Sequence, residues 1–472
     1  MNGKTTDMPP PIFAVVGRPN KGKSSIVATL ARDKSVHIDS RAGSTRDVRR
    51  FPMRINGETL YELVDTPGIQ RARAVVDWLE SQSVDASERP AAVARFVEEH
   101  KRDVRFRDEC QMLTPIIEGA GIIYVVDGSC PFGKDYEAEM EILRWTGQPS
   151  LAVINPIENT DYVDEWKAGL GQYFQTVRVF DAHTAEPEKQ FELLELFGHL
   201  DPRWQQSLSR AIEVLKASRS EQLRTASSLI TDLVVDALTY SVEQSVPEGV
   251  GEELVKTALL EQYKRHLEGR EKNCRKQIEQ LFYFSNLKGS DEQLALESSD
   301  LFNVENWYLW GLKKWQMISA SATVGLIAGG GTGLAIDALH LGSLGPLGTT
   351  ISGAGGAVTG AASSWVFADR IGKMSVKGIP SGGKRFTYGP TTNINFPFVI
   401  LGRGIRHLKL VCMRTHASQQ ELDLDKPILA FLSEKERRTL AKLFARIQSG
   451  KKVKESRADL SAMIFGWCEV DT

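Results

Sequence analysis

Eight residues near the start, Gly17-Arg-Pro-Asn-Lys-Gly22-Lys23-Ser24, leave few folds open to this chain. They fit G-x-x-x-x-G-K-[ST], follow the apolar run Ile12–Val16 and open a helical pattern at Ser24–Ala31. That is the strand–loop–helix setting the motif requires. Glycines let backbone N–H groups wrap phosphate oxygens, and the helix N-terminus adds a favourable dipole. Lys23 is then the cation facing the β/γ oxygens and the Ser24 hydroxyl a Mg²⁺ ligand, with Gly17, Asn20, Lys21, Gly22 and Ser25 completing the phosphate-binding set. A chance glycine-rich turn is the bland alternative, and the flanking strand and helix count against it.

Two further segments follow in the order a phosphate-hydrolysing switch needs. Ala42-Gly43-Ser44-Thr45-Arg46-Asp47 lies after the first helix, where Thr45 can complete a Mg²⁺ shell and sense a γ-phosphate. Asp65-Thr66-Pro67-Gly68 ends the strand Leu60–Val64, placing Asp65 to hold Mg²⁺ through water and the Gly68 N–H to meet the γ-phosphate. Further apolar runs at 121–126, 150–154 and 176–180, separated by helix-length connections, predict a mostly parallel sheet in an α/β domain.

The three segments together, Gly-Arg-Pro-Asn-x-Gly-Lys-Ser, Ala-Gly-Ser-Thr-Arg-Asp and Asp-Thr-Pro-Gly, resemble bacterial GTPases of the Era and TrmE type over residues 10–200. The resemblance implies a Ras-like α/β P-loop G domain using GTP, GDP and Mg²⁺, and it admits dimerisation of G domains. By the TrmE pattern, Asn20 would coordinate K⁺ in place of an arginine finger. Ile69 stands where Ras-like enzymes place the water-orienting glutamine, a hydrophobic replacement usual for this family, and Gln70 comes one residue late. The family's Asn-Lys-x-Asp is here Asn155-Pro156-Ile157-Glu158. Asn155 is retained, Glu158 can still accept from two guanine donors, and the lysine that packs over the base is missing. Asp181-Ala182-His183 stands at the Ser-Ala-Lys loop, so Ala182 and His183 join the base-binding set.

Gly68 and Gly121 are separated by 52 residues, and the stretch 71–117 is densely and evenly charged. A connection that long is either a solvated helical excursion, the favoured reading, or a partner-sensing arm. Beyond Asp201-Pro202 the pattern turns helical: apolar positions at three-or-four spacing run from Leu208 to about Val246, and a more charged helical stretch covers 252–284. A helical domain is expected over 201–312, a Gly/Ala-rich helical hairpin over 313–370 and a basic, small mixed α+β part over 371–472. In the last, Ser433-x-x-Glu436 forms a capping-box signature.

Residues 316–368 contain no Lys or Arg, and Asp337 is their only acid. Gly325-x-x-x-Gly329-x-x-x-Gly333 and Ser352-x-x-x-Gly356-x-x-x-Gly360 allow close helix approach, and each half is long enough to cross ~30 Å of hydrocarbon. Trp307, Trp310, Trp315, Trp365 and Phe367 flank the hairpin as an interfacial belt would. A small-residue hairpin buried in protein is the alternative. From 370 to 420 there are nine Lys/Arg and no Asp/Glu, which anionic lipids or RNA would attract unless acids elsewhere balance them. The favoured expectation is a cytoplasmic switch peripheral to or inserted in the membrane; a soluble GTPase acting on ribosomal or transfer RNA is the alternative.

Composition narrows the rest. With 58 Lys+Arg against 60 Asp+Glu the net charge is −2, so any nucleic-acid or membrane preference must come from local patches. At 42% hydrophobic and 25% charged the chain is too apolar to be disordered. Its 5 cysteines are scattered without a Cys-x-x-Cys pair, which argues against a zinc site or a disulfide scaffold and for a reducing compartment. The start, MNGKTTDMPPPIF, has no secretory pattern.

Overall fold

The computed structural model describes residues 9–31, 48–55, 57–82, 84–182, 187–247, 251–282, 301–302, 365–368, 383–391, 393–413 and 432–470. Two compact units divide the chain, the first made mainly of residues up to Gln222 and the second mainly of residues from Leu223 onward.

The first unit is built on a six-stranded sheet. Its strands are β1 (Ile12–Val16), β2 (Arg49–Ile55), β3 (Glu58–Asp65), β4 (Gly121–Asp127), β5 (Ser150–Asn155) and β6 (Val177–Val179), in the order β2-β3-β1-β4-β5-β6. All neighbours are parallel except β2, which pairs antiparallel with β3 as an edge hairpin. The central strands are apolar on both faces because both faces are covered. Along β1, Phe13 and Val15 enter one core while Ala14 and Val16 enter the other. The first core is closed by α1 (Lys23–Ala31), α7 (Pro187–Leu200) and the start of α8 (Pro202–Thr239). The second is closed by α2 (Ala72–Ser81), α3 (Arg89–His100), α4 (Arg107–Ile117), α5 (Asp135–Trp145) and α6 (Val163–Leu170). Each fully buried side chain of the Phe13 or Leu63 kind contributes ~1.5–3 kcal/mol, so the sheet is a rigid base for the loops at its edge.

Three expectations change here. The evenly charged stretch 71–117 folds as α2, α3 and α4, with Ala92, Val93, Phe96, Met112 and Leu113 all at 0% exposure. It is a packed layer and not a solvated excursion, because most of its charges occupy the exposed face of amphipathic helices, Glu109 being buried. The first unit also reaches Gln222, past residue 200, since Trp204, Leu208, Ala211 and Leu215 complete its core. The helix expected to continue to Val246 stops at Thr239.

In the second unit, β7 (Val242–Pro247) follows and pairs with a later strand, so the region 201–312 is not helical throughout. The unit adds α9 (Glu252–Leu281), β8 (Trp365–Ala368), β9 (Gly383–Tyr388), α10 (Phe396–Met413), α11 (Glu434–Gln448) and α12 (Val453–Val470). Its sheet has the order β7-β9-β8 and is antiparallel. Trp365–Ala368, expected to close a helical hairpin, is therefore a strand; the remainder of that hairpin, 316–364, lies outside the described residues. Among the described residues no helix is long and apolar enough to cross a membrane. The basic run is partly neutralised within the unit: Lys384 pairs with Glu252 at 2.6 Å, Arg385 lies 3.7 Å from Glu243, and Arg403 is buried on Glu271. The capping box forms as expected, with the Glu436 N–H on Ser433 Oγ and the Ser433 N–H on Glu436 Oε2 at 2.8 Å.

Candidate nucleotide site

The C-terminal ends of β1, β3, β4 and β5 bring the expected segments to one edge of the sheet, where open α/β sheets bind ligands. The loop after β1 carries two glycines with positive φ, Gly17 at 141° and Gly22 at 83°. A side chain at either would strike the Val125 carbonyl or the Asn155 side-chain amide, so only glycine lets the loop close. Asn20 adopts φ 60°, the left-handed conformation that asparagine tolerates.

Lys23 is 6% exposed, and its Nζ donates to the Arg18 carbonyl at 2.9 Å, across the mouth of the loop. Burial lowers its pKa to about 8, although Asp65 and Glu139 pull the other way. Ser24 Oγ donates to Asp65 Oδ2 at 2.9 Å, so the hydroxyl and the carboxylate expected on Mg²⁺ already meet at the loop. Among the described residues there is no group of three or more His, Cys, Asp and Glu able to hold a metal by itself. A hydroxyl and one carboxylate suit Mg²⁺, which keeps waters and takes its other ligands from phosphate. Ser25 is buried at the start of α1.

Gly68 lies against the loop: a Cβ there would come within 2.5 Å of Pro19. The next residue, Ile69, is 3% exposed and donates its N–H to the Gly17 carbonyl at 3.3 Å. Asn155 is fully buried; its Oδ1 accepts the Ala182 N–H at 3.2 Å, which ties the ends of β5 and β6 together. Glu158 is exposed at the rim. Thr45 and His183 lie outside the described residues.

The sequence did not point to three carboxylates that surround these elements. Glu139 of α5, 1% exposed, holds the Arg18 guanidinium and accepts from the Tyr124 hydroxyl at 2.9 Å, while Arg18 stacks 3.9 Å above the Tyr136 ring. Burial raises the Glu139 pKa against the pull of Arg18 and Tyr124. Asp127, ending β4, pairs with Lys21 at 3.2 Å. Burial opposes its ionisation, but hydrogen bonds from Ser129, Cys130 and Lys21 hold its carboxyl below the usual range. Lys21 Nζ is thus held at the end of β4, by Asp127 and Cys130. Glu109 of α4 meets the backbone after Gly68. Asp127 had a signal, an acid at the end of an apolar strand; the other two sit among many acids on charged helices.

Comparison with known proteins agrees with this geometry. Residues 12–155 match the family model described as 50S ribosome-binding GTPase, and this first unit is a P-loop GTPase domain. GTPase Der of Mycoplasma pneumoniae is 35% identical over 94 residues, 20% of this chain and 20% of that protein. GTPase Der of Paraburkholderia phymatum is 29% identical over 165 residues, 34% of this chain and 31% of that protein. The chain thus spans about a third or less of the length of these curated relatives. A solved structure of Era with MgGDPNP and nucleotides 1506-1542 of 16S ribosomal RNA overlaps 58% of this chain and 90% of its own at 16% identity, with a TM-score of 0.28. Residues 167–462, more than half of the chain and most of its second unit, match the model described as Domain of unknown function (DUF3482), and the chain belongs to that family, with an N-terminal GTPase domain similar to part of GTPase Der.

Proposed function

We propose that this chain binds GTP with Mg²⁺, hydrolyses it to GDP and phosphate, and works as a switch. The observation that carries the reading is the meeting of Lys23, Ser24 and Asp65 at one loop mouth, with Gly68 packed on the same loop. Lys23 leaves the Arg18 carbonyl for the β/γ oxygens, and the Gly68 N–H takes a γ-phosphate oxygen. Bound Mg²⁺ would draw charge from the β/γ oxygens, held by Ser24, by Asp65 through water and by Thr45. The Ile69 side chain is buried and has no polar atom, so it cannot orient the attacking water. Main-chain groups of the switch turns take that part, and Asn20 would hold K⁺ beside them. Asn155 and Glu158 read guanine, with Ala182 and His183 closing over the base.

Turnover by the full chain tests this. Lys23→Ala is expected to lower hydrolysis by about 10²–10³-fold, the scale of losing one group that stabilises transition-state charge. Native turnover should be faster in K⁺ than in Na⁺, with the difference erased in Asn20→Ala. GTP should bind better than ATP or ITP, and Glu158→Ala should narrow that gap. Unchanged turnover in Lys23→Ala would refute the site, and equal GTP and ATP affinities would refute the guanine reader.

For the partner, we favour the ribosome over a membrane surface. The likeness of residues 12–155 to 50S ribosome-binding GTPases supports it. Three basic residues of the 370–420 run, Lys384, Arg385 and Arg403, have acidic neighbours within the second unit, which lowers the charge left for a bilayer and for RNA phosphates alike, so the preference rests on the family likeness.

A further inference from the structure

The turn that would sense the γ-phosphate is tied at both ends. On one side the Ile69 N–H donates to the Gly17 carbonyl of the phosphate-binding loop. On the other, a single oxygen of Glu109, Oε1, accepts the backbone N–H of Gln70 at 3.0 Å and of Arg71 at 2.8 Å. Asp108 adds a third tie, accepting from Gln70 Nε2 at 2.7 Å. Glu109 is 1% exposed and stands in the first turn of α4, where the helix dipole favours an anion. Bonds to an ionised acceptor are roughly twice as strong as neutral ones, and burial keeps water from replacing them. Only 66–71 separate β3 from α2, so a segment that short, held at Gly17 and at Glu109, shifts either by breaking these bonds or by carrying the first turn of α4 with it.

We propose that Glu109 is a positioning residue for the Asp65-Thr-Pro-Gly68 turn, and that α3 and α4 are therefore the arm through which the switch is read or set. The inference rests on the GTPase reading above and adds its regulation. Coupling of this kind is reciprocal: if the γ-phosphate moves the turn, the arm follows, and anything that displaces the first turn of α4 changes the preference for GTP over GDP. The connection 101–106 leads directly into that first turn, and its Val104 is 87% exposed.

The test uses the full chain as native protein, Glu109→Gln, Glu109→Asp and Glu109→Ala. It reads kcat and KM for GTP, the Kd for GDP and the thermal transition of each. Glutamine keeps an Oε1 that can accept both N–H groups; aspartate is one methylene short of them. In Glu109→Ala and Glu109→Asp, kcat should fall about 10- to 100-fold, the scale of a 1 Å misplacement, with GDP affinity within about threefold of native. Glu109→Gln should return to within about threefold of native kcat. If Glu109→Ala does not fold, the aspartate and glutamine variants decide the matter. Native kcat in Glu109→Asp, or equal losses of kcat and GDP affinity across the folded variants, overturns the positioning role. A native chain that neither binds nor turns over guanine nucleotide overturns the GTPase reading instead, before any variant is compared.

Discussion

Lys23 carries the sharpest conflict between a residue's surroundings and its chemistry. A strongly hydrated ammonium is held at 6% exposure, and burial brings its pKa from the ordinary 10.5 to about 8. Between those two values the unfolded chain holds the proton and the folded chain releases it. Folding stability therefore rises with pH across about 8 to 10.5, and the charged form held at neutral pH is a cost to the fold. Phosphate oxygens at the loop mouth would restore the charged form. Binding of GTP at pH ~9 should take up close to one proton, and at pH 7 much less, because there Lys23 is already protonated. Calorimetry of GTP binding in buffers of different ionisation enthalpy measures this directly. No uptake at the higher pH would mean that Lys23 does not face the phosphates.

Among the elements, α9 and α10 share a buried ion pair. Arg403 is 3% exposed and gives Glu271 two bonds, from Nε at 2.6 Å and from Nη2 at 3.1 Å; Arg275 adds a third at 2.6 Å. A buried pair of this kind adds little net stability over an apolar pair of the same volume, but removing one member leaves the other charge buried. Arg403→Ala is expected to destabilise the second unit by about 3–5 kcal/mol, and Arg403→Met with Glu271→Leu to recover part of that loss. Denaturant unfolding of the three proteins checks it; a loss under about 0.5 kcal/mol in Arg403→Ala would place the pair in the solvated class. The sequence presented Arg403 as one of nine basic residues in an acid-free run. Only its partner, 132 residues earlier in α9, shows that it serves packing rather than an anionic ligand.

At the scale of the whole molecule, net charge −2 gives no long-range attraction to polyanions, so binding must come from a local surface. Co-sedimentation with 50S subunits is expected in the GTP state, weakening as salt rises from about 50 to 200 mM through displacement from phosphates. Flotation with anionic vesicles run in parallel separates the alternatives: salt-resistant flotation without ribosome binding would overturn the ribosome reading in favour of a membrane surface. What the sequence determined by itself was the phosphate-binding loop, Asp65-Thr-Pro-Gly68, the five parallel strands and the Ser433 cap. Each is legible because its chemistry is contiguous: a loop that wraps phosphate, a strand apolar on both faces or a cap that reaches three residues needs neighbours in the chain. The edge strand β2 escaped because Arg49, Arg50 and Arg54 break its apolar pattern, and β7 because its apolar residues continued the spacing of the helix before it. Glu109 and Glu139 were decided by tertiary structure alone, and for Asp127 the strand end gave its place but not its partner. Crossover connections return each strand to the same edge of the sheet, so carboxylates 39, 121 and 106 residues from their partners converge there. In the sequence, a buried acid on a charged helix is spelled the same way as a solvated one.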